Sequence, residues 1–166
     1  MAYKSESFIF EVLPKNVAEL VALKEATLET PFQAAVLTVL SFCHYCENEE
    51  EGIEMLNFLK GPTPLSVADT NFIHERLKDK KYLPYSYFKG ATVENNYTPT
   101  EPFTITISED RYSYAEDGYA KLLIQSSGAD HPRPIQLRQK GKEQWFLWEQ
   151  FLLSSIRIPK EEDPWA

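Results

Sequence analysis

Apolar and polar positions alternate along the last third of the chain. Phe103, Ile105 and Ile107 point one way and Thr104, Thr106 and Ser108 the other. A period of two marks a strand with one buried face. Residues 119–126, 133–139 and 144–151 continue the pattern and are separated by turn formers. Together they predict a four-stranded antiparallel meander over about 103–153. The last segment is apolar on both sides, with Trp145, Leu147 and Phe151 on one face and Phe146, Trp148 and Leu152 on the other. That predicts a central strand covered on both faces. Trp145, Trp148 and Leu152 also fit helical spacing, so strand and helix both stay open for 150–156.

The first half has helical periods and helical punctuation. Asn16 with Glu19 opens a helix predicted over 17–28. Thr30-Pro31-Phe32-Gln33 places a Thr N-cap, a Pro at the first helical position and a Gln at the third. The helix it opens, 31–46, is apolar nearly all round, which predicts a buried element. Asn48 caps a third helix over 49–60, with glutamates on its positive end and Gly61 as its stop. Ser66 with Asp69 opens a fourth, through Phe72, Ile73 and Leu77 to about Lys80. Residues 82–102 carry turn formers and aromatics without a period and predict a long ordered loop. The predicted fold class is α+β: about four N-terminal helices packed on one face of a four-stranded antiparallel meander, in one domain over 1–166. The tail 154–166 is charged, but its Trp165 is expected to dock on the body.

Composition narrows the function classes. The chain has 166 residues, with 17 Lys+Arg against 25 Asp+Glu and a net charge of −8. A phosphate backbone needs concentrated Lys and Arg, so nucleic acid is not an expected partner. The same sign argues against an anionic membrane surface. No apolar stretch approaches the roughly 20 residues of a membrane span, and no secretory signal is evident. A cytoplasmic location with both cysteines reduced is the expectation.

Candidate chemistry is sparse. Cys43-His44-Tyr45-Cys46 has C-x-x-C spacing, but it falls at a predicted helix C-terminus, where the dipole opposes a thiolate. No second Cys pair exists to complete a zinc site. The acidic run 47–51 lacks calcium-loop spacing and reads as a solvated helix start. Residues 126–134 contain Ser, Asp and His in close succession, yet adjacency is no triad, and Ser, Gly, Asp and Pro suit a strand connection. His44, His74 and His131 fall in separate elements, and no glycine pattern suits a nucleotide. No cofactor and no metal is therefore expected. Two weak catalytic candidates remain. Glu149 lies in an apolar run where burial could raise its pKa, although Arg138 on the neighbouring strand offers an ordinary ion pair. His131 is the second candidate.

Tyrosine supplies the surface signal. Of nine, Tyr82, Tyr85, Tyr87, Tyr97, Tyr112, Tyr114 and Tyr119 lie between residues 82 and 119. Tyr offers apolar area with a polar handle and little entropy to lose. Tyr85, Tyr87, Tyr97, Tyr112 and Tyr114 are the candidate contact residues. The alternative role is to plug the seam between helices and sheet.

Several strings, read together, resemble a family of small bacterial proteins of unknown function: Thr30-Pro-Phe-Gln-Ala-Ala, Ile53-Glu-Met-Leu-Asn-Phe-Leu-Lys-Gly-Pro, Tyr82-Leu-Pro-Tyr-Ser-Tyr-Phe, Glu94-Asn-Asn-Tyr-Thr-Pro, Ser126-Ser-Gly-Ala-Asp, Trp145-Phe-Leu-Trp-Glu and Asp163-Pro-Trp-Ala. The resemblance runs from about residue 30 to the end and implies no activity. The closing strands, with their Trp-x-x-Trp, also look similar to the NTF2-like α+β cone, which would imply a pocket between sheet and helices. The leading expectation is a non-enzymatic binding or interaction protein, with an unknown protein or small molecule as partner. One alternative is a small-molecule binder or enzyme with an NTF2-like pocket using Glu149 or His131. Another is a structural protein that self-associates through its strand faces or Trp165.

Overall fold

A computed structural model describes residues 3–166. It has α+β architecture with four α-helices and a five-stranded antiparallel sheet. The strands are β1 (Ser5–Phe10), β2 (Phe103–Ser108), β3 (Tyr119–Ile124), β4 (Arg133–Lys140) and β5 (Gln144–Gln150), in the spatial order β1-β2-β3-β4-β5. The helices are α1 (Val17–Val21), α2 (Pro31–Tyr45), α3 (Glu49–Lys60) and α4 (Val67–Leu77).

Helix α2 is the keel of the core and touches β2 through β5. Thr30 and Gln33 close a reciprocal capping box at its start, and Pro31 needs no hydrogen bond there. Its buried Thr38 and Ser41 return their hydroxyls to the carbonyls of Ala34 and Leu37, each at 2.8 Å, so neither is left unsatisfied. Helix α3 lies against α2, and at Gly52 a Cβ would strike the backbone of Tyr45. Buried apolar residues of the helices, of β1 to β5 and of the 82–91 segment form one contiguous cluster.

The structure corrects several expectations. The sheet has five strands, because β1 adds itself beside β2. Its inward Phe8 and Phe10 alternate with outward Ser7 and Ile9, too short a pattern to stand out, and its partner lies about a hundred residues away. The helix predicted over 17–28 ends at Val21; a 3-10 turn follows at Lys24–Thr27, and Leu28 has φ +55°. This break frees the Leu28 carbonyl to accept the Trp145 amide at 2.8 Å. Helix α4 stops at Leu77, since Lys78 leaves the helical region and Asp79 has φ +58°. Part of the 82–102 loop is a 3-10 helix at Pro84–Tyr87.

Strand β5 is not central. It ends the sheet, with a bulge at Trp148; Trp145 and Leu147 share the face of buried Leu137, while Phe146 stands opposite Arg138 on the other face and packs against Gly61 at the end of α3. Residues 151–156 are neither strand nor α-helix. Trp165 does not dock: it is 93% exposed.

Candidate functional site

The two edges of the sheet differ, and the difference begins in the register. Strand β1 pairs with β2 from Ser5↔Ser108 to Phe10↔Phe103. The Glu109 amide donates to the Lys4 carbonyl at 2.9 Å, so residues 4, 6, 8 and 10 face β2 with their backbone groups. The amides and carbonyls of Ser5, Ser7 and Ile9 therefore point outward. Among the described residues they have no backbone partner.

A groove of about 420 Å³ runs along that edge. Glu6, Ser7, Phe8 and Ile9 form one wall; the Lys24–Thr27 turn, Glu29 and Gln33 form the other. Glu6 occupies an inward position of the strand, and its Oε2 is shielded from solvent without a hydrogen bond. The Lys4 ammonium stands 3.5 Å from it. Glu25, also on the groove, is only 4% exposed, and among the described residues its carboxylate has no hydrogen-bond or ion-pair partner. Glu29 adds a third carboxylate, against one cation on the lining, Lys24. On the outer face Ile9 is 62% exposed and, just beyond the strand, Val12 is 65% exposed. The groove thus pairs unmet backbone groups with an excess of negative charge: three carboxylates stand against Lys24 on the lining and Lys4 beside Glu6.

The candidate tyrosines are dispersed in space. The Tyr87 hydroxyl donates to the Leu152 carbonyl, and Tyr97 donates to the Arg157 carbonyl at 2.5 Å. Both are buried, and both pin the 152–157 segment to the body. Burial raises their pKa values, most strongly for Tyr87. Tyr82 stacks on Tyr97 with centroids 5.5 Å apart. Tyr85 is half-buried in a cleft shared with Val12, Cys43 and Phe103. Tyr112 and Tyr114 are exposed on the β2–β3 connection. Although the side chain is half exposed, partial burial of its hydroxyl and the hydrogen-bonding Glu109 carboxylate push Tyr114 up to about 12, and Glu109 accepts from the Lys4 backbone amide. The accessible tyrosines therefore lie at the two ends of β1: Tyr114 near Lys4, Tyr85 near Val12.

Glu149 is exposed and pairs in register with Gln136. The burial that would have tuned it is missing. So is the ion pair with Arg138, which stands opposite Phe146 and stacks on Trp148 instead. Glu149 lines a surface cleft of about 210 Å³ between α4 and β5. His131 is exposed between β3 and β4. Its neighbour Asp130 holds Arg157 at 2.9 Å, and that hydrogen bond keeps the Asp130 carboxyl below its usual range.

Cys43 is buried at the end of α2 and Cys46 caps it. Burial raises both thiols, Cys46 to about 12, which is the opposite of what a redox pair requires. In the acidic run, Asn48 caps α3, and Glu51 takes the His44 ring at 3.1 Å. Among the described residues no cluster of His, Cys, Asp or Glu has metal-binding geometry, and no helix is long and apolar enough to cross a membrane.

The open edge leaves one trace in the sequence, the Phe8/Phe10 alternation with a charge, Glu6, on the inward side; the period is too short to mark a strand.

The chain matches the family model of a domain of unknown function, DUF6935, over residues 12–160, and it belongs to that family. The matched span begins just after β1. No curated protein and no solved structure matches the chain.

Proposed function

We propose that this protein is a non-enzymatic binding protein that takes an extended, basic segment of another protein as a sixth strand along β1. The observation that carries this reading is the set of outward amides and carbonyls at Ser5, Ser7 and Ile9, open along a groove walled by Glu6, Glu25 and Glu29. Strand addition supplies affinity through the backbone and specificity through alternate side chains. A Lys or Arg on the inner side of the added strand meets Glu6 and Glu25; an apolar residue on the outer side meets Ile9. Tyr85 and Tyr114 flank the two ends, with Tyr112 beside the latter. A second copy of this acidic chain would bring like charges together, so the charge favours a basic partner over self-pairing.

The reading with an NTF2-like cone and a polar group from Glu149 or His131 has less support: both residues are exposed, and α2 fills the inner face of the sheet with buried side chains.

The test is calorimetric titration with a peptide of about eight residues that alternates Lys and Val, against the same peptide with Glu for Lys. Saturable binding of the Lys peptide alone, lost in Ser7→Pro, is the expected result. The Ser7 amide is not used by β2, so Pro there blocks addition while leaving the ladder intact. Equal binding of both peptides, undiminished binding by Ser7→Pro, or a stable dimer of the protein alone in sedimentation would overturn the reading.

A further inference from the structure

At the opposite edge of the sheet a different chemistry collects. A cleft of about 400 Å³ opens between the end of α3 and the β4–β5 hairpin, within the size range of small-molecule sites. Its charged lining is Lys60, Arg138 and Lys140, with no carboxylate among the lining residues. In a chain of net charge −8, three cations without an acid are conspicuous. Among the described residues none of the three is in an ion pair with a carboxylate.

The aromatic walls orient them. The Arg138 guanidinium lies 4.5 Å from the Trp148 ring centre and 5.5 Å from that of Tyr119. The two rings stand at 68° to one another, and among the described residues the Arg138 N–H groups make no side-chain hydrogen bond, which leaves donors for an anion. Lys60 donates to the Trp148 carbonyl at 3.1 Å and stands 5.9 Å from the centre of its ring, so one ammonium proton is engaged and two are left. Phe146 provides a second ring, seated where Gly61, at φ +62°, has no side chain to displace it.

We infer that this cleft binds a small organic anion that carries a phosphate or carboxylate beside a flat ring. The Arg138 fork and the Lys140 ammonium take the anion, and the part of the half-buried Phe146 side chain left open beside them takes the ring. This site is independent of strand addition at β1 and stands or falls without it.

The experiment is calorimetric titration of the full chain with inorganic phosphate, phenyl phosphate and benzoate, each with wild type, Arg138→Gln, Arg138→Lys and Lys140→Gln. The ring-bearing anions are expected to bind one to one, phenyl phosphate at least about tenfold tighter than inorganic phosphate. Arg138→Gln should weaken them about tenfold or more, and Arg138→Lys should not restore them, because an ammonium lacks the fork. The order of phenyl phosphate and benzoate identifies which anionic group the cleft prefers. Circular dichroism of the variants confirms that each is folded. Arg138 and Lys140 are exposed, so unfolding is not expected; if Arg138→Gln does unfold, Lys140→Gln carries the test. No saturation by either ring-bearing anion, no advantage for the ring, or unchanged binding in the folded variants would overturn the inference. So would displacement of phenyl phosphate by a single-stranded oligonucleotide at lower concentration, which would make the cleft a nucleic-acid contact.

Discussion

The two edge strands solve one problem in opposite ways. An edge strand exposes unpaired backbone groups, and proteins usually cover or blunt it. At β5 the cover is made from three elements: the Leu28 carbonyl takes the Trp145 amide, Lys60 takes the Trp148 carbonyl, and Gly61 lets Phe146 close against the end of α3. At β1 the facing wall stands off, and the groove between is lined with carboxylates. The inward Glu6 also discourages casual pairing with apolar strands. On the proposed reading, a guarded edge that remains open admits a strand that brings positive charge.

Proline substitutions give the sharpest contrast and the largest effect. Phe8→Pro removes an amide that faces β2 and a buried ring, and should cost ~3 kcal/mol or more. Ser7→Pro, one residue away, should cost about 1 kcal/mol or less. Urea unfolding of both reads the difference; equal losses would mean that the register of backbone groups along β1 is not as described.

On the sealed side, Gly61→Ala introduces a Cβ at positive φ and against Phe146. A loss of about 1–3 kcal/mol is expected, with faster hydrogen exchange at Trp145. Lys60→Met keeps the apolar stem but strands the Trp148 carbonyl, for a loss of about 1 kcal/mol. If it leaves exchange along β5 unchanged, the seal does not depend on Lys60.

The tyrosines separate in the same way. Tyr97→Phe breaks the bond to the Arg157 carbonyl and should cost about 1 kcal/mol, whereas exposed Tyr112→Ala should stay within about 0.5 kcal/mol. A smaller effect concerns the thiols. Their folded pKa values are raised, so their contribution to stability is fully present below the thiol pKa of the unfolded chain. It is lost as pH rises through the folded values, about 12 for Cys46. Near pH 8 neither thiol should react rapidly with a disulfide reagent in the native protein. Rapid labelling would show that burial at the end of α2 is incomplete.

What could be read in advance follows from how local each signal is. The capping boxes at Thr30 and Ser66, the stop at Gly61 and the β2–β5 meander are written in neighbouring residues, and all are present. The sheet's fifth strand and its edges are not local. Strand β1 needs β2, the break after α1 serves Trp145, and the doubly apolar β5 lies at the edge because the end of α3 covers Phe146 there. Tyr85, Tyr87, Tyr97, Tyr112 and Tyr114 are close in sequence, but two of them fasten the tail and three reach solvent. The open groove was illegible because Glu6 and Glu25 meet only through the fold.

Amide hydrogen exchange, read residue by residue with and without the Lys-Val peptide, tests the open edge most directly. Ser7 and Ile9 should exchange fast in the free protein and slow strongly when peptide is bound, while Trp145 is protected in both states. Protection of Ser7 and Ile9 in the free protein, or no change at saturating peptide, would contradict an open edge that accepts a strand.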